Sequence, residues 1–138
     1  MSERYVLDSC ALIAFFRQEV GSEVVTRMFK SAAEKKCTIY IHKASISEVY
    51  YDTLRFSGRD EAEKIFHTLT TLPVSSTNIL NNNFIKQIGY FKINHKISFA
   101  DCFVLALASI KKAIIISSDH HEFGDIEKTK ILSFLWLR

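Results

Sequence analysis

The sequence predicts an α/β protein in which a mostly parallel sheet of four or five strands lies between two layers of helices, a three-layer α/β/α arrangement. Three observations support this prediction. Short β-branched and apolar runs alternate along the chain with longer segments of helical periodicity. The run AIII at residues 113–116 is continuously apolar, as in strands buried on both faces. One proline and four glycines in 138 residues disfavour a loop-rich or repeat architecture.

The elements follow one another with few long gaps. Strands are predicted from apolar, β-branched or aromatic runs, at residues 5–7, 38–41, 73–75 (a weak signal), 113–116 and 131–137. Helices are predicted where apolar residues recur at three- and four-residue steps, within residues 11–16, from residue 22, from Ser45 to residues 56–58, and over residues 62–69, 79–91 and 98–112. Because helices separate most of the strands, the strands are expected to run parallel.

Composition limits the class of protein. With 138 residues, 48% of them apolar and 24% charged, the chain is expected to form a single globular domain over residues 1–138. A net charge of +3 favours an anionic partner only weakly. Three cysteines without C-x-x-C spacing favour free thiols in a reducing compartment, and no apolar stretch reaches the roughly 18 residues of a membrane span. We therefore expect a cytoplasmic protein without a membrane partner.

Four acidic residues occupy equivalent places in the predicted fold. Asp8 follows the first strand, and Asp119 follows the strand at residues 113–116. Glu48 and Asp101 lie in the first turns of two helices. Since the carboxyl ends of parallel strands and the N-termini of the following helices share one edge of the sheet, the four carboxylates are expected to converge there.

Each acid also has a structural explanation when it is taken alone. The spacings Ser45-x-x-Glu48 and Ser98-x-x-Asp101 match capping boxes, in which a carboxylate is favoured by the helix dipole. Acids directly after strands are common in turns and caps. The argument for a functional site therefore depends on the whole set of four.

Converging carboxylates repel one another unless a proton or a cation lies among them. Two like charges 4 Å apart repel by roughly 4 kcal/mol at an effective dielectric constant of 20. Oxygen ligands without an accompanying Cys or His arrangement favour Mg²⁺ or Mn²⁺ over zinc. Such an ion lowers the pKa of an attacking water and neutralises phosphate charge, which suits phosphodiester hydrolysis.

Four segments carry a family resemblance. VLDSCALIAFF, SISEVYYD, SFADCFVLALA and SSDHHEFGDI resemble, in order and spacing, the four acidic motifs of PIN-domain ribonucleases, and the chain length is similar to that of VapC-like toxins of toxin–antitoxin pairs. The resemblance implies that Asp8, Glu48, Asp101 and Asp119 hold Mg²⁺ or Mn²⁺. It further implies endonucleolytic cleavage of RNA by metal-activated water, and a homodimer that a small antitoxin protein neutralises.

The chain departs from the family pattern near the first acid. Cys10 stands where the family often has Ser or Asn, so the orientation of Asp8 is expected to depend on Ser9 or on backbone groups. Ser98 is expected to support Asp101 as its helix cap.

A second departure lies near the fourth acid. Ser117 replaces a frequent Thr and keeps the hydroxyl group. Asp119 is favoured as the fourth acid, and Glu122 or, failing that, Asp125 are the alternatives. His120 and His121 are expected to lie in an exposed turn.

Contacts to RNA and the alternative functions depend on weaker signals. Lys43, Lys96 and His120 are candidates for contacts to an RNA backbone. One alternative is a PIN-like module that binds RNA or a protein without catalysis, which the unusual Cys10 would favour. Another is an α/β phosphoesterase acting on small phosphate esters. The absence of a glycine-rich phosphate loop counts against a nucleotide-binding Rossmann domain.

Overall fold

The computed structural model describes residues 2–138, and it confirms the predicted α/β class. The strands are β1 (Glu3–Leu7), β2 (Cys37–His42), β3 (Ser75–Thr77), β4 (Ile114–Ser117) and β5 (Phe134–Trp136). The helices are α1 (Ser9–Arg17), α2 (Ser22–Ala33), α3 (Lys43–Ser57), α4 (Arg59–Leu69), α5 (Asn82–Asn94), α6 (Phe99–Lys111) and α7 (His120–Lys128).

The strands form one sheet with the order β3-β2-β1-β4-β5, and every neighbouring pair is parallel. The sheet therefore has five strands and is entirely parallel. At its centre, Val6 of β1 pairs with Tyr40 on one side and with Ile115 on the other. Because β1 and β4 are adjacent, the residues that follow them begin at the same edge of the sheet.

Alternation along the central strands divides the apolar residues between two cores. Val6 and Ile115 belong to a cluster with buried residues of α5, α6 and α7, such as Phe84. Their neighbours Leu7 and Ile116 belong to a second cluster with buried residues of α1 and α2. Side chains of successive strand residues point to opposite faces, so each core covers one face of the sheet and the three-layer prediction is confirmed.

Helix α6 explains how one carboxylate can lie in an apolar segment. The side chain of Ser98 caps the helix by accepting a hydrogen bond from the backbone N–H of Asp101 at 3.1 Å. Residues 104–108 of the same helix are buried in the first core. The buried body of α6 thus fixes its first turn, and with it Asp101, at the edge of the sheet.

The predicted cap of α3 is wrong. The helix begins at Lys43 rather than at Ser45, and its cap is His42, whose Nδ1 accepts a hydrogen bond from the N–H of Ala44 at 3.0 Å. Ser45 lies inside the helix, where its buried hydroxyl has no hydrogen-bond partner. The spacing Ser45-x-x-Glu48 therefore does not form a capping box, because an imidazole two residues upstream of Ala44 already fills that role.

Helix α7 was not predicted from the sequence. The exposed turn expected at His120 and His121 is the first turn of this helix, and the final strand is limited to residues 134–136. The predicted helix 79–91 begins and ends three residues later, because the side chain of Asn81 caps it. None of the helices within residues 2–138 combines the length and hydropathy that a membrane crossing requires.

Candidate active site

Asp8 is held at the carboxyl end of β1 by two hydrogen bonds. The side chain is 1% exposed. Its Oδ1 accepts the N–H of Ala11 at 2.8 Å as the cap of α1, and its Oδ2 accepts the hydroxyl of Ser117 at 2.5 Å. The expected backbone donor to Asp8 is therefore present. The side-chain donor is Ser117 rather than the predicted Ser9, which is buried at the start of α1.

Ser117 connects two of the predicted acids. While its hydroxyl donates to Asp8, the same oxygen accepts the backbone N–H of Asp119 at 3.0 Å. Asp119 in turn caps α7, because its Oδ1 accepts the N–H of Glu122 at 3.1 Å. Both acids that follow central strands are therefore helix caps, and one fully buried hydroxyl group fixes their relative position.

Three carboxylates form the tightest group at this edge. Oxygens of Asp101, Asp119 and Glu122 all lie within 4.8 Å of one another. Glu122 comes from the first turn of α7, and its buried Oε2 has no hydrogen-bond partner. The sequence predicts Glu122 only as an alternative to Asp119 as the fourth acid. In the structure, carboxylate oxygens of both residues lie close to Asp101.

Glu48, on α3, is not one of the three grouped carboxylates, but its charge acts on one of them. Its charge is among those that raise the pKa of Asp101, and it also acts on the thiol of Cys10. Asp52, one turn further along α3, is instead bound by two arginines, by Arg17 at 2.7 Å and by Arg55 at 2.8 Å. The helix thus carries one acid that is neutralised by arginines and one acid that forms no ion pair within residues 2–138.

Burial and mutual repulsion raise the pKa of two acids. Desolvation is the largest cause for Asp8, whose pKa rises to about 7 although the bonds from Ser117 and Ala11 oppose the shift. The pKa of Asp101 also rises to about 7, first through burial and then through Glu48, Glu122 and Asp119, against the opposing hydrogen bond to Ser98. Without a cation, these groups hold protons near neutral pH.

Cys10 lies against the acids as a neutral thiol. Its Sγ is 3.9 Å from Oδ2 of Asp119, within range of a weak hydrogen bond. Burial and the surrounding carboxylates raise the thiol pKa far above its usual range. The thiol therefore stays protonated and serves as a donor, which disfavours both a redox role and a thiolate ligand.

The remaining candidates lie outside the acidic group. Asp125 is exposed on α7 and pairs with Lys128 at 3.7 Å, so it does not complete the site. Lys43, at the first position of α3, and Lys96, between α5 and α6, are exposed. His120 is the exposed first residue of α7, directly after Asp119.

The position of Glu122 could have been inferred from the sequence. Asp119-x-x-Glu122 has the same spacing as Ser98-x-x-Asp101, and Phe123 and Ile126 follow as a three-residue apolar step. Both of these apolar side chains are buried. The spacing and the apolar step thus indicate a helix that begins at residue 120, in place of the exposed turn predicted from the two histidines.

The sequence of residues 5–128 matches the PIN domain family. The chain belongs to the PIN-domain family. This match includes all five acids and the whole of helices α3, α6 and α7. Among curated proteins, no match is found.

Solved structures of PIN-domain proteins share the fold at low sequence identity. VapBC2 from Rickettsia felis, bound to a promoter DNA fragment, is 12% identical over 96% of this chain and 97% of its own, with a TM-score of 0.74. DNA-bound VapBC from Salmonella typhimurium is 9% identical over the whole of both chains, with a TM-score of 0.74. VapC20 from Mycobacterium tuberculosis is 13% identical over 80% of this chain and 86% of its own, with a TM-score of 0.63.

Proposed function

We propose that this PIN domain is a divalent-metal-dependent endoribonuclease and the toxin of a toxin–antitoxin pair. The observation that carries the proposal is a group of acids without cationic partners at the carboxyl edge of the sheet. The ion pairs formed within residues 2–138 involve other acids, at Glu34, Asp52 and Asp125. The similar VapC20 is described as a toxin that cleaves the sarcin–ricin loop, which supports RNA as the substrate class.

The donor set fits Mg²⁺ or Mn²⁺. The proposed ligands are Asp8, Glu48, Asp101 and Asp119, and Glu122 joins them because its buried Oε2 is otherwise unpartnered. Carboxylate oxygens are the ligands that these hard ions prefer. When bound, the metal would polarise a water for attack and neutralise charge on the scissile phosphate.

The protein's own residues prepare this site in two ways. Ser117 holds Asp8 and Asp119 together before any ion arrives. The N-termini of α1, α6 and α7 meet the acids and partly compensate their charge through the helix dipoles. Because Asp8 and Asp101 hold protons near neutral pH, ion binding is expected to release protons and to strengthen as the pH rises.

Cleavage assays test the reaction. Purified protein, free of any antitoxin, is incubated with structured RNAs in Mg²⁺ or Mn²⁺. We expect cleavage that stops in EDTA and in Asp101→Asn. Asp125→Asn is the matched control, since it removes one exposed carboxylate from α7 without touching the acidic group. Cleavage that continues unchanged in Asp101→Asn would rule out the proposed site.

Ion binding separates Glu122 from Asp125. Glu122→Gln and Asp125→Asn each neutralise one acid of α7. Titration calorimetry with Mn²⁺ should give a weaker affinity for Glu122→Gln, by about tenfold or more if a ligand is lost, and an unchanged affinity for Asp125→Asn. Equal affinities in the two variants would remove Glu122 from the ligand set.

Two other outcomes would favour the alternative functions. RNA binding without turnover under any divalent ion would favour a non-catalytic PIN-like module. Hydrolysis of a generic phosphomonoester without RNA cleavage would favour a small-molecule phosphoesterase.

An antitoxin protein is the proposed partner, as in the VapBC complexes of similar fold. A groove of about 730 Å³ between α3 and α4 is lined by Ile46, Tyr50, Phe66 and Leu69 and by none of the five acids. An amphipathic helix of the antitoxin would fit such an apolar groove.

We also propose a homodimer that acts in the cytoplasm. Light scattering on the purified chain tests the dimer.

Lys43 and Lys96 remain candidates for contacts to the RNA backbone. Both are exposed on elements that border the acidic edge, namely the first residue of α3 and the loop before α6. Each phosphate contact adds to the salt dependence of binding, so Lys96→Ala should weaken RNA binding and flatten its dependence on salt.

A further inference from the structure

Three aromatic rings form a stack that ends beside the acidic group. The ring of Phe134 stacks on Trp136 with centroids 4.9 Å apart and an angle of 7° between the planes. Trp136 stacks on His120 at 3.8 Å and 23°. Strand β5 supplies the first two rings, and the first residue of α7 supplies the third. The stack therefore runs from the core to the residue next to Asp119.

The outermost ring is held in place. Nε2 of His120 lies 2.8 Å from the backbone oxygen of Arg138, and because that oxygen only accepts, Nε2 carries the proton. Trp136 is itself fixed by a hydrogen bond from Nε1 to Glu127 at 2.8 Å. His120 is nevertheless exposed. Since Trp136 already covers one face of the imidazole, a further ring can stack only on the opposite face.

We propose that the exposed face of His120 is a stacking site for an unpaired nucleobase of the RNA strand. This inference rests on the proposed function, and it assigns a base-binding position next to the acids. A ring that is already ordered loses little conformational entropy when a base stacks on it. Every base offers a π face, so the site would accept bases of any sequence.

The surrounding charges favour a base over a phosphate at this position. Asp119 directly precedes His120 in the chain, and the carboxylate of Glu127 is bound to the neighbouring ring of the stack. Glu127, which is outside the proposed ligand set, repels a phosphate group but leaves the stacking of an uncharged base unaffected. The imidazole therefore acts through its face rather than through an ionic contact.

Trp136 provides a direct readout because it is the only tryptophan of the chain. Short single-stranded RNA is titrated into the Asp101→Asn protein, in which cleavage is blocked, while Trp136 fluorescence is followed. We expect an RNA-dependent change in fluorescence. His120→Ala should lose that change and bind RNA about 5- to 140-fold more weakly, the range that corresponds to one base–aromatic stack.

Two variants separate stacking from other roles. His120→Phe keeps an aromatic ring without polar atoms and should retain the fluorescence change and most of the affinity. His121→Ala is the matched control, since His121 is the exposed neighbour on the same helix turn. If His120→Phe binds as weakly as His120→Ala, a polar contact of the imidazole replaces the stacking proposal. Thermal unfolding checks that each variant is folded.

Cleavage kinetics distinguish failure of this inference from failure of the proposed function. In the otherwise wild-type protein, His120→Ala should raise KM more than it lowers kcat. If wild-type protein cleaves RNA and His120→Ala has the same KM and affinity, the stacking site is refuted and the nuclease remains. If the wild-type protein neither cleaves nor binds any RNA, the proposed function fails first.

Discussion

Neutralising Asp8 should stabilise the metal-free protein. The side chain is almost fully buried and its pKa in the folded chain is about 7, compared with about 4 for an unfolded aspartate. A raised pKa means that the folded state binds the proton more tightly than the unfolded state does. The protein therefore has its full stability below about pH 4 with respect to this group, and it loses stability as the pH rises through about 7.

The size of the effect follows from the difference between the two pKa values. At about 1.4 kcal/mol for each pH unit, a difference of about three units corresponds to a loss of about 4 kcal/mol above pH 7. Asp8→Asn removes this titration but keeps an oxygen that can accept the N–H of Ala11. At pH 8 the variant should be more stable than wild type by up to this amount, and at pH 4 the difference should be small.

Urea unfolding in EDTA between pH 4 and pH 8, followed by Trp136 fluorescence, measures these differences. Saturating Mn²⁺ should stabilise wild type at pH 8 by about 3 kcal/mol at one hundred times its dissociation constant, and should stabilise Asp8→Asn less. Asp125→Asn controls for the loss of a carboxylate, because Asp125 is exposed. Equal pH dependence of wild type and Asp8→Asn would refute the reasoning, since it would mean that Asp8 is not desolvated.

Three further predictions concern Ser117 and the first turn of α3. Ser117→Ala removes the bridge between Asp8 and Asp119 and should destabilise the protein by about 1–3 kcal/mol in urea unfolding, whereas Ser117→Thr should be tolerated in stability and in Mn²⁺ affinity. His42→Ala removes the cap of α3 and should lower stability by about 1 kcal/mol or more in the same assay. Ser45→Ala should be neutral or stabilising, because the buried hydroxyl has no partner, and a large loss in this variant would contradict the corrected cap.

The sheet and the positions of Asp8, Asp101 and Asp119 at its edge could be predicted from the sequence, because the patterns that indicate them lie within short segments. Apolar runs mark the central strands, and topology then requires that residues following β1 and β4 share an edge. Ser98 and Asp101 were also predictable, since a capping box is a pattern within one turn.

Other features depend on contacts between distant segments. Ser117 and Asp8 are 109 residues apart in sequence and meet only because β1 and β4 are neighbours. His42 caps α3 because the ring is also held between Phe84 and Phe103 and bonded at Nε2 to the carbonyl of Ile79. No pattern within one segment indicates such contacts, so the local spacing predicts Ser45 as the cap.

The two acids on α3 differ in their electrostatic surroundings. Asp52 is neutralised by Arg17 and Arg55, and this group adds stability without further chemistry. Glu48 forms no ion pair within residues 2–138, and its charge instead raises the pKa of Asp101. Asp101, Asp119 and Glu122, whose oxygens lie within 4.8 Å of one another, form no ion pair with a basic side chain within residues 2–138, so their mutual repulsion costs stability when they are charged. With the proposed divalent cation bound, that loss would be reversed, and the repulsion that destabilises the metal-free protein would supply part of the affinity for the ion.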